Sequence, residues 1–198
     1  DDRWLNVNFD DGSGNFYDGK YVFAGFVPKI VDFAKDRDDW FDLEEGEDVQ
    51  FVDIEKISEG VSNSLNQGTM DSHLRTLIDW DNLLMNAHVE LWTGNDDGYW
   101  TVPNNYRVYF EEGMPMVMTP WDTDSSFQVF PPLYDGNADV GSERPQVVMR
   151  TGSGRNPSGR LLQVCFLDEQ CTARWQELRS VVYAQLLDGT LHQQATNT

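Results

Sequence analysis

Four carboxylates and two amides bracket one short stretch of this chain. Asp96 and Asp97 lie in GNDDGYW, Asn104 and Asn105 open NNYRVYF, and Asp122 and Asp124 lie in PWDTDSSF. Between the Asp pairs, Tyr106, Val108 and Phe110 alternate, then Met116 and Met118, with Glu112-Gly113 separating the two runs. This period of two around a turn predicts a β-hairpin, and a hairpin returns its flanks to one place. Carboxylates gathered there with almost no base nearby repel one another by roughly 4 kcal/mol per pair at ~4 Å and an effective dielectric of about 20. A hard divalent cation relieves that repulsion, and an all-oxygen donor set suits Mg²⁺, Mn²⁺ or Ca²⁺.

Such residues have distinct chemical uses. One carboxylate can accept a proton from an attacking hydroxyl, a second can hold a metal against phosphate, and an Asn can complete the coordination. Protein kinases use this order, an Asp, an Asn a few residues on, and a second Asp after a hairpin. Here the order is Asp97, Asn104/Asn105, hairpin, Asp122, with a longer gap between the first two. The same acids could instead hold a structural Ca²⁺ in a non-catalytic interaction or adhesion domain. Glycoside hydrolysis fits less well, because its two acids must stand ~5–9 Å apart across a sugar rather than close on a cation.

The 34 acids against 14 Lys and Arg give a net charge of -20, which excludes a broad basic face for nucleic acid or an anionic membrane. No apolar run approaches the ~20 residues of a membrane span. The three histidines (His73, His88, His192) are scattered and no C-x-x-C pair occurs, which argues against zinc. Cys165 and Cys171 lie close together, as a short-range disulfide of an oxidising compartment or as two buried thiols. The basic residues concentrate late: residues 144–167 hold Arg144, Arg150, Arg155 and Arg160 and no acid. Within them TGSGRNPSGR lacks the Gly-Lys-Ser/Thr ending of a P-loop, but its glycines and Arg155 and Arg160 offer contacts to a phosphate or substrate anion.

The positioning elements follow from periodicity. Residues 4–9 and 20–27 read as strands around the DDGSGN turn, 28–34 as a short helix, and 36–48 as an irregular acidic segment. The Asp-Gly turns at 10–18 and 135–139 could carry structural Ca²⁺, although neither has EF-hand spacing. Ile54, Ile57, Val61 and Leu65 mark a helix over 53–65, and a short helix over 71–78 takes Asp71 as its cap. A helix over 81–92, with Leu84, His88, Val89, Leu91 and Trp92 on its apolar side, ends at Gly94. It carries Glu90, read as an exposed acid, and His88, read as a core histidine. After the hairpin, a helix over 168–187 starts at Asp168 and buries Trp175, Leu178, Val181, Val182 and Leu186.

The segments IDWDNLLMNAHVELWTGNDDGYW, NNYRVYF and PWDTDSSF resemble the CotH kinase family. The likeness is strongest over residues 78–127 and continues through GRLLQVCFLDEQCTARWQELRSVVYAQLLDG. It implies an α+β, atypical protein-kinase-like fold. That fold would be mainly the helical C-terminal lobe with its catalytic β-hairpin, plus part of the N-terminal lobe. A single domain over 1–198 is expected, with lobe-joining strands and an acidic segment in 1–50 and the main lobe in 51–189. The resemblance implies Asp97 as the catalytic acid, with Asp96 its rival, and Asn105 (with Asn104), Asp122 and Asp124 around the metal. It implies ATP with Mg²⁺ or Mn²⁺ and phosphate transfer to Ser/Thr of a secreted or surface protein. The expected location is outside the cell or on a cell or spore surface. No Gly-rich lid is evident, and of the four lysines (Lys20, Lys29, Lys35, Lys56) only Lys20 falls on an expected strand, so the rest of the ATP lobe is expected upstream of Asp1.

Overall fold

The computed structural model describes residues 5, 7–9, 12–19, 22–24, 27–29, 32–33, 41–95, 97–100, 103–123, 126 and 159–187, without the side chains of 22–24, 27–29, 183, 186 and 187. In these residues the chain is mixed α+β, a four-stranded antiparallel sheet with five helices. The strands are β1 (Asn15–Gly19), β2 (Val22–Ala24), β3 (Val27–Lys29), β4 (Phe41–Glu45), β5 (Tyr106–Phe110) and β6 (Val117–Pro120). The helices are α1 (Val52–Gln67), α2 (Leu74–Leu77), α3 (Trp80–Thr93), α4 (Arg160–Cys165) and α5 (Glu169–Leu187). The main sheet runs β4-β1-β5-β6, and β2 and β3 form a separate ribbon.

The hairpin forms as its alternation predicts. Tyr106, Val108, Met116 and Met118 are buried, and Gly113, at φ 78°, makes the turn that lets Met114 N–H reach Glu111 O at 3.1 Å. β6 is an edge strand, and α3 seals it. Met118 N–H donates to Asn82 Oδ1 at 2.9 Å, and Asn86 Nδ2 donates to Met118 O at 2.7 Å. The segment before α3 adds a second seal, Met116 N–H to Leu77 O at 2.8 Å and Asp79 N–H to Met116 O at 2.9 Å. These contacts replace the water that an unpaired ladder would otherwise need.

α3 starts at Asp79, whose side chain accepts Asn82 N–H at 3.0 Å, a cap that supplies an orphan donor's partner. Its buried stripe is Leu83, Leu84, Ala87, His88 and Glu90; Val89 and Trp92, expected inside, are each 45% exposed. α3 packs on α5 through an aromatic stack. Trp175 lies 4.9 Å from Trp100 and 3.6 Å from His88 between ring centroids, and His88 Nε2 donates to Trp175 O at 2.9 Å. Cys165 and Cys171 are joined in a disulfide across the α4–α5 corner. Asp168, between them, caps α5 by accepting Cys171 N–H at 2.9 Å and also binds Arg75 of α2. On α5, Trp175, Leu178 and Val182 are buried and Val181 is exposed.

The amino-terminal third differs from expectation. Leu5, Val7 and Asn8 are helical rather than extended, and Leu5 and Phe9 pack on Phe16 and Tyr109 behind the sheet. One of the two interior strands is β1, whose sequence NFYDG reads as turn chemistry, yet it lies between two neighbours that satisfy both its edges. Pro28 and Lys29, expected to open a helix, continue a strand from Val27, and Phe41–Glu45 is strand, not irregular. α2 is shorter than expected, beginning at Leu74, with Asp71 capping the preceding turn through His73 N–H at 2.8 Å.

Candidate functional site

The site lies at the open end of the β5–β6 hairpin, where α3 hands over to the turn before β5. Asn105 links its parts. Its Nδ2 donates to Asp97 Oδ2 at 3.1 Å, and its backbone carbonyl accepts Trp121 N–H at 2.8 Å, next to Asp122. Asn105 and Asp122 both have left-handed backbones, φ 51° and φ 47°. Asn and Asp are the non-glycine residues that tolerate this conformation best, so residue type and local geometry agree. Asp97 and Asn105 are half-buried and Asp122 is exposed. Asn104 is half-buried beside them. Asp96, Asp124 and Arg155 lie outside the described residues.

Trp121 stays half exposed, and the Arg107 guanidinium sits 3.4 Å above its ring. Arg107 also pairs with Asp18 of β1 at 3.4 Å. A cation over an indole is worth about 0.5–2 kcal/mol; here it orders the residue next to Asp122.

The turn that carries Asp97 is held from beneath. Asn95 is buried, and its Oδ1 accepts Asp97 N–H at 3.1 Å. Glu90, buried in the last turn of α3, accepts Tyr99 N–H at 3.1 Å on one oxygen and Trp100 N–H at 2.8 Å on the other. The fit is close: a Cβ on Gly98 would stand 2.6 Å from the Glu90 carboxyl carbon, so any larger residue there must push the carboxyl aside. Burial pushes the Glu90 carboxyl up to about 7, against the lowering effect of the two amides. The expectation of an exposed acid at this position is therefore corrected. Its partners lie nine and ten residues on, in an irregular turn whose shape no periodicity announces.

Tyr99 is also gripped from its ring end. Its hydroxyl donates to Asp32 Oδ2 at 2.6 Å and accepts Leu161 N–H at 3.2 Å. Asp32 is fully buried and accepts Arg160 N–H at 2.6 Å. The Arg160 guanidinium lies 3.5 Å from Asp32 Oδ1 and 3.4 Å from Phe33 O. Burial raises the Asp32 carboxyl despite these partners. Sequence reading assigned no role to Asp32 or Tyr99, because their partners are 67 and 62 residues away.

Among the described residues no three His, Cys, Asp or Glu side chains converge on a common point, and no helix is long and apolar enough to cross a membrane. Comparison with curated proteins and with solved structures returned no match. The family model described as CotH kinase protein matches residues 1–187 of the 198. With that match spanning nearly all of its length, the chain belongs to the CotH kinase family.

Proposed function

We propose that the protein is a metal-dependent phosphotransferase with a kinase-like fold, moving the γ-phosphate of ATP to a Ser or Thr hydroxyl of a secreted or surface protein. The observation that carries this reading is the hydrogen bond from Asn105 to Asp97, with the Asn105 carbonyl fastened beside Asp122. It supports a single locus for the proton acceptor and the metal ligands that phosphoryl transfer needs. The intramolecular disulfide supports an oxidising, extracellular or spore-surface setting.

In this reading Asp97 accepts the proton of the acceptor hydroxyl. The freed oxygen forms a bond to the γ-phosphorus while the bond from that phosphorus to the β–γ bridging oxygen breaks, and ADP leaves. Asn105 fixes the Asp97 carboxylate by its Nδ2 and turns its remaining oxygen, with Asp122, toward the phosphates. The oxygen-only donor set fits Mg²⁺ or Mn²⁺, and an ion shared with a nucleotide needs only one or two protein carboxylates. Asp122 and Asn105 would hold it, joined by Asp124 and Asn104, and it would supply charge neutralisation at the β- and γ-phosphates. Arg155 and Arg160 are the candidates for further anion contact. For Arg160 that contact would share a guanidinium already paired with Asp32.

The test is transfer of labelled phosphate from ATP with Mn²⁺ or Mg²⁺ to a Ser-rich peptide or to the protein itself. Asp97→Asn and Asp122→Ala should each reduce transfer by about 10³-fold or more, the scale of losing a group that acts in the transition state. Undiminished transfer by either variant rules out the role assigned to that residue.

A further inference from the structure

Phosphoryl transfer as described leaves Glu90 without a chemical part, yet it is an enclosed acid bonded to the backbone of the catalytic turn. Only 6% of it is exposed, and it lies on α3 beneath the chain segment that carries Asp97. Both of its oxygens are used, one on Tyr99 N–H and one on Trp100 N–H. Among the described residues no cation pairs with it, and its hydrogen bonds come from backbone amides. Gly98 leaves the space for its carboxyl head, since any side chain there would strike it. Two amides and one glycine of the segment 98–100 are therefore built around this carboxylate.

We propose that Glu90 is a positioning residue for Asp97, a bidentate clamp that fixes the catalytic turn to the end of α3. The proposal rests on the phosphotransfer reading above. A buried carboxylate costs stability, as its elevated proton affinity indicates. A glutamine of the same shape avoids that cost, but it presents an NH₂ group where one oxygen now accepts, so one of the two N–H donors loses its present partner. The clamp thus needs the acid itself, and its value lies in geometry rather than in stability. Displacement of a reacting group by an ångström is enough to lose catalysis about 10²-fold.

The experiment compares the full chain with Glu90→Gln and, as an independent route to the same lesion, Gly98→Ala, which displaces the carboxyl from the other side. For each, kcat and KM for ATP are measured with Mn²⁺ present, and amide hydrogen exchange is followed across residues 95–105. The expected result is a fall in kcat of about 10²-fold. KM for ATP should stay within about threefold, while exchange accelerates at Tyr99 and Trp100 and helices α1 and α5 stay protected. The clamp is overturned if Tyr99 and Trp100 stay as protected as in wild type. It is equally overturned if protection is lost while kcat holds. A wild-type protein that transfers no phosphate sinks the phosphotransfer reading alone, and the exchange data then decide whether Glu90 holds the turn.

Discussion

His88 and Glu90 sit two residues apart on α3, and burial moves them in opposite directions. The His88 imidazole, stacked on Trp175, is lowered to about 4, chiefly because burial disfavours its charged form. Folding therefore excludes a proton that the unfolded chain binds below its ordinary value of 6.5. The sign follows directly: stability is intact above about 6.5 and is lost as pH falls toward about 4, by at most roughly 3 kcal/mol. Glu90 has the opposite slope, because its carboxyl is raised from 4.5 to about 7, so its contribution is lost as pH rises through that window. Urea unfolding of wild type and His88→Gln at pH 7 and pH 4.5 separates the two. The stability advantage of wild type over the variant should shrink by about 2–3 kcal/mol at the lower pH. An advantage that does not change with pH would mean that His88 is open to protons in the folded state.

At the scale of elements, α3 does two jobs along its length. Its first two turns seal the edge of β6 through Asn82 and Asn86, and its last turn holds the Asp97 segment through Glu90. Removing the seal leaves Met118 N–H and C=O without their side-chain partners, at about 1–2 kcal/mol each. Asn82→Ala/Asn86→Ala should therefore lose about 2–4 kcal/mol in denaturant unfolding; a loss under about 0.5 kcal/mol would show that water replaces both amides. These same elements show what the sequence makes legible. The hairpin and α3 were readable because a period of two and a period near 3.6 each ran to a clear stop, Gly113 in one and Gly94 in the other. β4 carried a readable signal too, Phe41 and Leu43 inward with Asp42 and Glu44 outward, which suits an acid-laden edge strand. Its charges masked that alternation. β1 was hidden because Asn, Asp and Gly disfavour strands unless neighbours on both sides override them. The residues proposed for the site, Asp97, Asn105 and Asp122, stand out by type and order. Glu90 and Asp32 do not, since Glu90 is bound by an irregular turn nine and ten residues on and Asp32 by a helix start 128 residues away.

For the whole molecule, a net charge of -20 means that the fold is held against its own repulsion. Arginines offset part of it locally, Arg75 on Asp168 and Arg174 on Asp81, each joining two helices. Any added ion relieves the remainder by screening, so stabilisation by a cation is not by itself a sign of a site. The discriminating comparison sets Mn²⁺ with ATP against NaCl and Ca²⁺ at matched ionic strength, in wild type and Asp122→Ala. Salt should raise the melting temperature of both proteins equally. Mn²⁺ with ATP should add about 2.7 kcal/mol more at 100 times its Kd, or about 5–11 °C for a domain of this size, in wild type only. The selective loss in Asp122→Ala is what separates a nucleotide site from an acidic surface. If Ca²⁺ alone matches the increment in both proteins and ATP adds nothing, the carboxylates serve a cation-stabilised interaction domain, and the phosphotransferase reading falls.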